Sequence, residues 1–159
     1  LAKLERDDYI TLIIGKIDPK HQNYFNSLKS LIKKYNLQKK IIFKDAVSDL
    51  HNLYYLADLI VAPSLRPEAF GRIMPEAGAM EKIIITTNHG GALETIIDGK
   101  TGFLIKPNDD IGFADKINHV LNLNEAEKEK IGTAAKKYIE KNFSITKMQT
   151  DTIKLYETL

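Results

Sequence analysis

The strongest constraint on this chain is a rhythm: short β-branched runs, each closed by a turn signal, alternate with stretches of helical periodicity. Tyr9-Ile10-Thr11-Leu12-Ile13-Ile14 stops at Gly15 and reads as a strand buried on both faces. From Pro19 to about Tyr35, Tyr24, Phe25, Leu28, Leu31 and Ile32 recur at three- and four-residue spacing, which predicts an amphipathic helix. Ile41-Ile42-Phe43 predicts a second strand, Ser48 caps a helix over Asp49–Ala57, and Leu59-Ile60-Val61 predicts a third strand stopped by Pro63. A helix follows from near Gly71 to about Met80. Ile83-Ile84-Ile85 is the fourth strand, Gly90-Gly91 opens a short helix ending near Ile97, and Asp98-Gly99 turns into a fifth strand, Gly102–Ile105. Helices then run near Ile111–Leu121, Glu125–Lys141 and Ile145–Leu159.

That alternation calls for right-handed βαβ crossovers. The predicted fold is α/β: a Rossmann-like, doubly wound parallel sheet of about five strands, with helices on both faces and a helical carboxyl-terminal tail. At 159 residues the chain suits one domain, 1–159. With 43% apolar and 28% charged residues and a net charge of +2, it has a globular composition. Its basic residues are scattered as in Lys33-Lys34 and Lys136-Lys137, a pattern of solvated faces rather than a nucleic-acid surface. The absence of cysteine excludes disulfides, thiolate metal sites and cysteine nucleophiles. No apolar run approaches the ~20 residues of a membrane span, and Leu1–Asp8 is too charged for a signal peptide. Opening on Leu, apparently in mid-helix, the sequence reads as a piece of a longer protein.

Open parallel sheets bind ligands beyond the carboxyl ends of their strands. That rule directs attention to "RPEAFGRIMPEAGAM", residues 66–80, after the third strand. Glu68 falls in the loop and Glu76 one to two turns into the helix. Between them, the amides around Gly71, Arg72 and Ile73 are unpaired donors at the positive end of a helix, and Gly71 leaves the backbone open to approach. Amides suit a phosphate and carboxylates suit sugar hydroxyls, so a sugar at each end of a diphosphate would satisfy all three. A plain helix start decorated with acidic residues fits the same spacing. The second site, Thr86–Glu94, carries His89 and the pair Gly90-Gly91, which either let the backbone meet a ligand or make a tight turn. His89 suits a hydrogen-bonding contact better than a general base, since no carboxylate partner is evident. No metal-ligand spacing is present.

"ADLIVAPSLRPEAFGRIMPEAGAM" followed by "IIITTNHGGALETIIDGKTGFLIKPND" resembles the donor-binding half of the family 4 (group 1) retaining glycosyltransferases of GT-B fold. The likeness continues through "FADKINHVLNL" and "NFSITKMQTDTIKLYETL". It implies that the chain binds a UDP-, GDP- or ADP-sugar without a metal and transfers the sugar with retention. By that resemblance Glu68, the catalytic candidate, meets hydroxyls of the transferred sugar, and Glu76 meets the ribose. The amides of Phe70, Gly71, Arg72 and Ile73 meet sugar and diphosphate, Val47 lies against the base, and His89, Gly90 and Gly91 lie near the diphosphate or donor sugar.

The resemblance also implies a missing amino-terminal acceptor domain and a cytoplasmic enzyme, reaching the inner membrane face through that domain. The family's Arg and Lys opposite the diphosphate fall in the absent region. Lys44-Asp45 and Glu81-Lys82-Ile83 depart from its usual glycine positions. The family's first strand, central in the order 3-2-1-4-5-6, is absent too. The sheet must therefore close over a gap or be completed by another segment or chain, because unpaired strand edges are costly. A non-catalytic nucleotide-sugar-binding module and another GT-B enzyme, such as an epimerase, are the alternatives.

Overall fold

The computed structural model describes residues 1–158; Leu159, where the last expected helix ends, lies outside them. The fold is α/β with parallel strands, and it divides into two compact units, Leu1–His51 and the remainder from Asn52 onward.

The first unit is a βαβ element. Strand β1 (Thr11–Ile14) leads through a 3-10 turn at Pro19–His21 into α1 (Gln22–Lys34) and then β2 (Ile41–Lys44). Asp18 starts the turn by accepting the Lys20 amide at 2.9 Å, and Pro19 follows where no amide donor is needed. The strands pair in parallel from Thr11↔Ile41 to Ile14↔Lys44. Phe25 of α1 meets Phe43 of β2 edge to face, with ring centroids 4.9 Å apart. The expectation that the first strand is buried on both faces does not hold: Leu12 is 47% and Ile13 39% exposed. An apolar strand records the cover it requires, and two strands with one helix cannot cover both faces.

In the second unit, α2 (His51–Leu56), which begins at the unit boundary, precedes β3 (Ile60–Ala62), α3 (Ile73–Ala79), β4 (Ile84–Thr87), α4 (Ala92–Thr95) and β5 (Phe103–Ile105). Helices α5 (Asp110–Leu121), α6 (Glu125–Phe143) and α7 (Ile145–Glu157) form the helical tail. The strands run parallel in the order β3-β4-β5, in register from Ile60↔Ile84 and from Ile85↔Phe103. Successive strand residues point to opposite faces, so the complete burial of both Ile84 and Ile85 shows that β4 is covered on each side. Helix α3 packs on β3 and β4, and α5 packs on β4 and β5. The main cluster joins Ile84 and Ala62 to Met74, Ala77, Ala92 and Ile96.

The five expected strands are present as two ladders rather than one. Among the described residues no register joins β1-β2 to β3-β4-β5, because no strand pairs with the remaining edge of either β1 or β3.

Helix starts follow their capping chemistry. Asp109 accepts the Gly112 amide at 2.8 Å, Ser144 caps α7, and Asn124 with Glu127 forms a reciprocal capping box at α6. Helix α6 seats against α3 through glycines. A Cβ on Gly78 would stand 2.8 Å from Ile139 Cγ1, and one on Gly132 only 2.2 Å from the Glu81 carbonyl oxygen. Glu81 itself holds φ +57° in the turn into β4. Its carboxylate pairs with Lys136 of α6 at 3.0 Å, which partly offsets the left-handed conformation.

Candidate functional site

The parallel ladder sends β3 and β4 out of the same edge, and their exits form the site. Pro63-Ser64 leaves β3, and residues 65–72 cross in front of the sheet before α3. The helix begins at Ile73, two residues later than expected, because Gly71 takes φ +74°, which no α-helical turn contains. Glu76 therefore falls in the first turn. Among the described residues, the amides of Phe70, Gly71, Arg72 and Ile73 have no intramolecular acceptor, as the sequence reading requires for amides that meet a ligand.

The β4 exit carries His89, Gly90 and Gly91, and it is stitched to the β3 exit. Thr87 Oγ1 donates to the Ser64 carbonyl oxygen at 2.7 Å. His89 Nε2 stands 2.9 Å from that oxygen and 2.8 Å from Thr87 Oγ1. A carbonyl only accepts, and the Thr87 hydrogen is already directed at it. For His89 to bond that carbonyl oxygen, Nε2 must carry the hydrogen, and Nδ1 is then the ring's other polar atom. The Gly91 amide donates to the Glu68 carbonyl oxygen at 2.9 Å.

The glycine pair sits unusually tight. A Cβ on Gly90, which has φ +58°, would come within 2.4 Å of the Glu68 carbonyl oxygen; one on Gly91 would come within 2.3 Å of the Phe70 carbonyl oxygen. The close approach these glycines allow is thus that of the protein's own 68–70 backbone. The turn they make holds the glutamate loop.

Glu68 is exposed, and its Oε1 accepts the Ser64 hydroxyl in a short hydrogen bond. Its Oε2 lies over Gly71, 3.3 Å from where a Cβ there would be. The Phe70 ring packs on Phe143 at the end of α6, with centroids 5.7 Å apart, anchoring the loop. Ser64, Glu68, Met74, Thr86, Thr87, His89 and Ala92 line a depression of about 160 Å³, open to solvent.

Glu76 is engaged on both oxygens: Tyr54 donates to Oε2 at 3.1 Å, and Arg72 approaches Oε1 at 2.9 Å. The Arg72 side chain is 84% exposed, whereas that of Glu76 is 32% exposed. Val47 lies in the first unit, half-buried in the segment that follows β2. Among the described residues no group of three or more His, Cys, Asp and Glu side chains is placed to hold a metal, and no helix is long and apolar enough to cross a membrane.

Residues 1–138 match the sequence profile of the family described as glycosyl transferases group 1. The chain belongs to that family. It is 36% identical over 112 residues to the capsular polysaccharide biosynthesis glycosyltransferase CapM of Staphylococcus aureus, covering 70% of this chain and 29% of CapM. A glycosyltransferase from Rickettsia africae ESF-5 superposes with a TM-score of 0.92 at 39% identity, over 99% of this chain and 41% of that one. The Anabaena protein HepE, solved in complex with UDP-glucose, shares the fold at a TM-score of 0.91 and 23% identity, over 99% of this chain and 43% of HepE. The chain spans less than half the length of each of these three relatives.

Three polar residues of this candidate site, Ser64, Thr87 and Tyr54, are given no individual role by the sequence, although Ser64 and Thr87 fall within the strand exits it points to. A signal for two of them existed. Ser64 is the first polar residue after the third strand, and Thr87 ends the pair of threonines that closes the apolar run Ile83-Ile84-Ile85. Tyr54 carried none, because its partner is 22 residues away.

Burial, reinforced by the bond to Glu76, pushes the Tyr54 hydroxyl up to about 12. The folded state thus keeps a proton that the unfolded chain releases near pH ~10. This contribution to stability is complete below pH ~10 and is lost as pH rises through about 12. Urea unfolding of Tyr54→Phe is expected to lose less stability than wild type between those limits; parallel pH profiles would contradict the raised Tyr54 pKa.

Proposed function

We propose that this chain is the donor-binding, carboxyl-terminal domain of a retaining GT-B glycosyltransferase that takes a UDP-, GDP- or ADP-sugar. The observation that carries the reading is the order carboxylate, free amides, carboxylate at the β3 exit, locked to the His89-Gly90-Gly91 turn, in a member of this family. In this reading Glu68 accepts hydroxyls of the transferred sugar and Glu76 accepts the ribose diol. A carboxylate has about four lone-pair directions, so Glu76 keeps capacity beside Tyr54 and Arg72. The amides of 70–73 face the diphosphate, and Arg72, freed from Glu76, adds charge there without a metal. His89 reaches the donor through Nδ1, and Gly90-Gly91 hold the loop beside it.

Transfer proceeds on one face of the sugar, with the departing diphosphate assisting deprotonation of the acceptor. Orientation and leaving-group stabilisation then provide the acceleration, and Glu68 positions the sugar. The acceptor, a saccharide or lipid of the kind handled in surface-polysaccharide synthesis, is held by a further domain outside 1–159. The enzyme is cytoplasmic and meets the inner membrane face through that domain. The isolated chain is accordingly expected to lack transferase activity.

Calorimetry of the full-length protein with UDP-, GDP- and ADP-glucose tests the reading. One base is expected to bind with a Kd on the order of 1–100 μM, about 7 kcal/mol at the midpoint. If none of the three binds below ~1 mM, the donor assignment is wrong.

A further inference from the structure

Glu68 poses a physical problem that its role makes acute. It is exposed, on a loop, and carries three rotatable side-chain bonds, so an unrestrained carboxylate would sample many directions and orient nothing. The structure supplies the restraint from a neighbour four residues earlier. Ser64 Oγ donates to Glu68 Oε1, while Oε2 lies against Gly71. A hydroxyl bonded to a carboxylate holds both the direction and the negative charge of that group.

Ser64 is itself fixed. Its carbonyl oxygen receives the Thr87 hydroxyl at 2.7 Å and His89 Nε2 at 2.9 Å, and its amide donates to the Ala62 carbonyl oxygen at 2.9 Å. The residue is therefore tied to the end of β3 by its amide, to the end of β4 by its carbonyl and to Glu68 by its hydroxyl. Thr87 is 2% exposed, so the anchor of this chain of bonds lies in the core.

We infer that Ser64 is the positioning residue for Glu68, transmitting the fixed geometry of the β4 exit to the carboxylate and leaving Oε2 as the oxygen that accepts a hydroxyl of the donor sugar. The inference rests on the donor-binding reading above and adds a residue to it. Ser64 does not touch the reacting atoms; it acts through Glu68. Its effect falls on the sugar and not on the nucleotide, which meets Glu76 instead.

The test uses the full-length transferase and calorimetry with UDP-, GDP- and ADP-glucose, each beside its bare nucleoside diphosphate. For the base that binds, Ser64→Ala is expected to weaken the nucleotide sugar ~5- to 10-fold while changing the bare diphosphate less than ~2-fold. Ser64→Thr, which keeps a hydroxyl, recovers most of the loss. In the Glu68→Ala background, Ser64→Ala adds nothing, because its only route to the sugar is gone. Thermal melting of each variant establishes that it folds.

Equal losses for nucleotide sugar and bare diphosphate in Ser64→Ala would make Ser64 a structural residue and overturn the inference. So would a Ser64→Ala protein that binds like wild type while Glu68→Ala loses sugar affinity; that result leaves the donor reading intact. A Glu68→Ala protein indistinguishable from wild type would instead remove the donor reading, and this inference with it.

Discussion

Gly91→Ala is expected to cost about 3 kcal/mol of stability and to abolish donor binding, although it adds one methyl group to a loop. The new Cβ would lie 2.3 Å from the Phe70 carbonyl oxygen and 2.6 Å from the carbonyl carbon. Both are backbone atoms, so no side chain can rotate away. Either the 68–70 segment moves off the sheet edge or the β4 exit reopens. In both cases the Gly91 amide loses its 2.9 Å bond to the Glu68 carbonyl oxygen. Relief by movement of Phe70 would in turn disturb its ring contact with Phe143. Urea unfolding measures the cost, with Gly15→Ala as the control, since a Cβ on Gly15 meets nothing within 4 Å. A Gly91→Ala protein as stable as Gly15→Ala would show that the loops do not depend on this approach.

The two glutamates are expected to separate kinetically. Glu68→Ala in the full-length enzyme should lower kcat by about 10²-fold, the scale of losing reactant orientation, with a smaller loss of nucleotide-sugar affinity, roughly 10-fold. Its carboxylate holds no other element of the fold: apart from Ser64 it makes no side-chain bond among the described residues. Glu76→Ala should act chiefly on KM. It also leaves the half-buried Tyr54 hydroxyl without its partner, so a stability loss of about 1 kcal/mol is expected with it. Steady-state kinetics with the donor varied distinguishes the two. A large fall in kcat for Glu76→Ala with KM unchanged would reverse the assignment.

What could be read in the sequence was what depends on local period and turn chemistry. Ile83-Ile84-Ile85 announces a buried strand, Pro75 marks a helix start, and Glu68, Gly71 and His89 stand at strand exits where a parallel sheet places its ligands. The rest depends on contacts between distant segments. The bonds from Thr87 and His89 to the Ser64 carbonyl span 23 and 25 residues, and no periodicity encodes them.

Gly90-Gly91 illustrates the difference. Two glycines at a strand exit signal a close approach, but the sequence does not say whether a ligand or the chain itself approaches; here the 68–70 backbone does. Leu12 and Ile13 illustrate it again. Their apolar character is legible, while their exposure depends on which strands are present to cover them.

In the proposed function one carboxylate serves the sugar and the other serves the nucleotide. Titration of the bare nucleoside diphosphate into the Glu68→Ala and Glu76→Ala proteins tests it most directly, because that ligand contains the ribose and lacks the transferred sugar. Glu76→Ala is predicted to bind it at least ~10-fold more weakly than wild type, and Glu68→Ala within ~2-fold of wild type. Equal affinities for the two variants, or a loss confined to Glu68→Ala, would contradict the account.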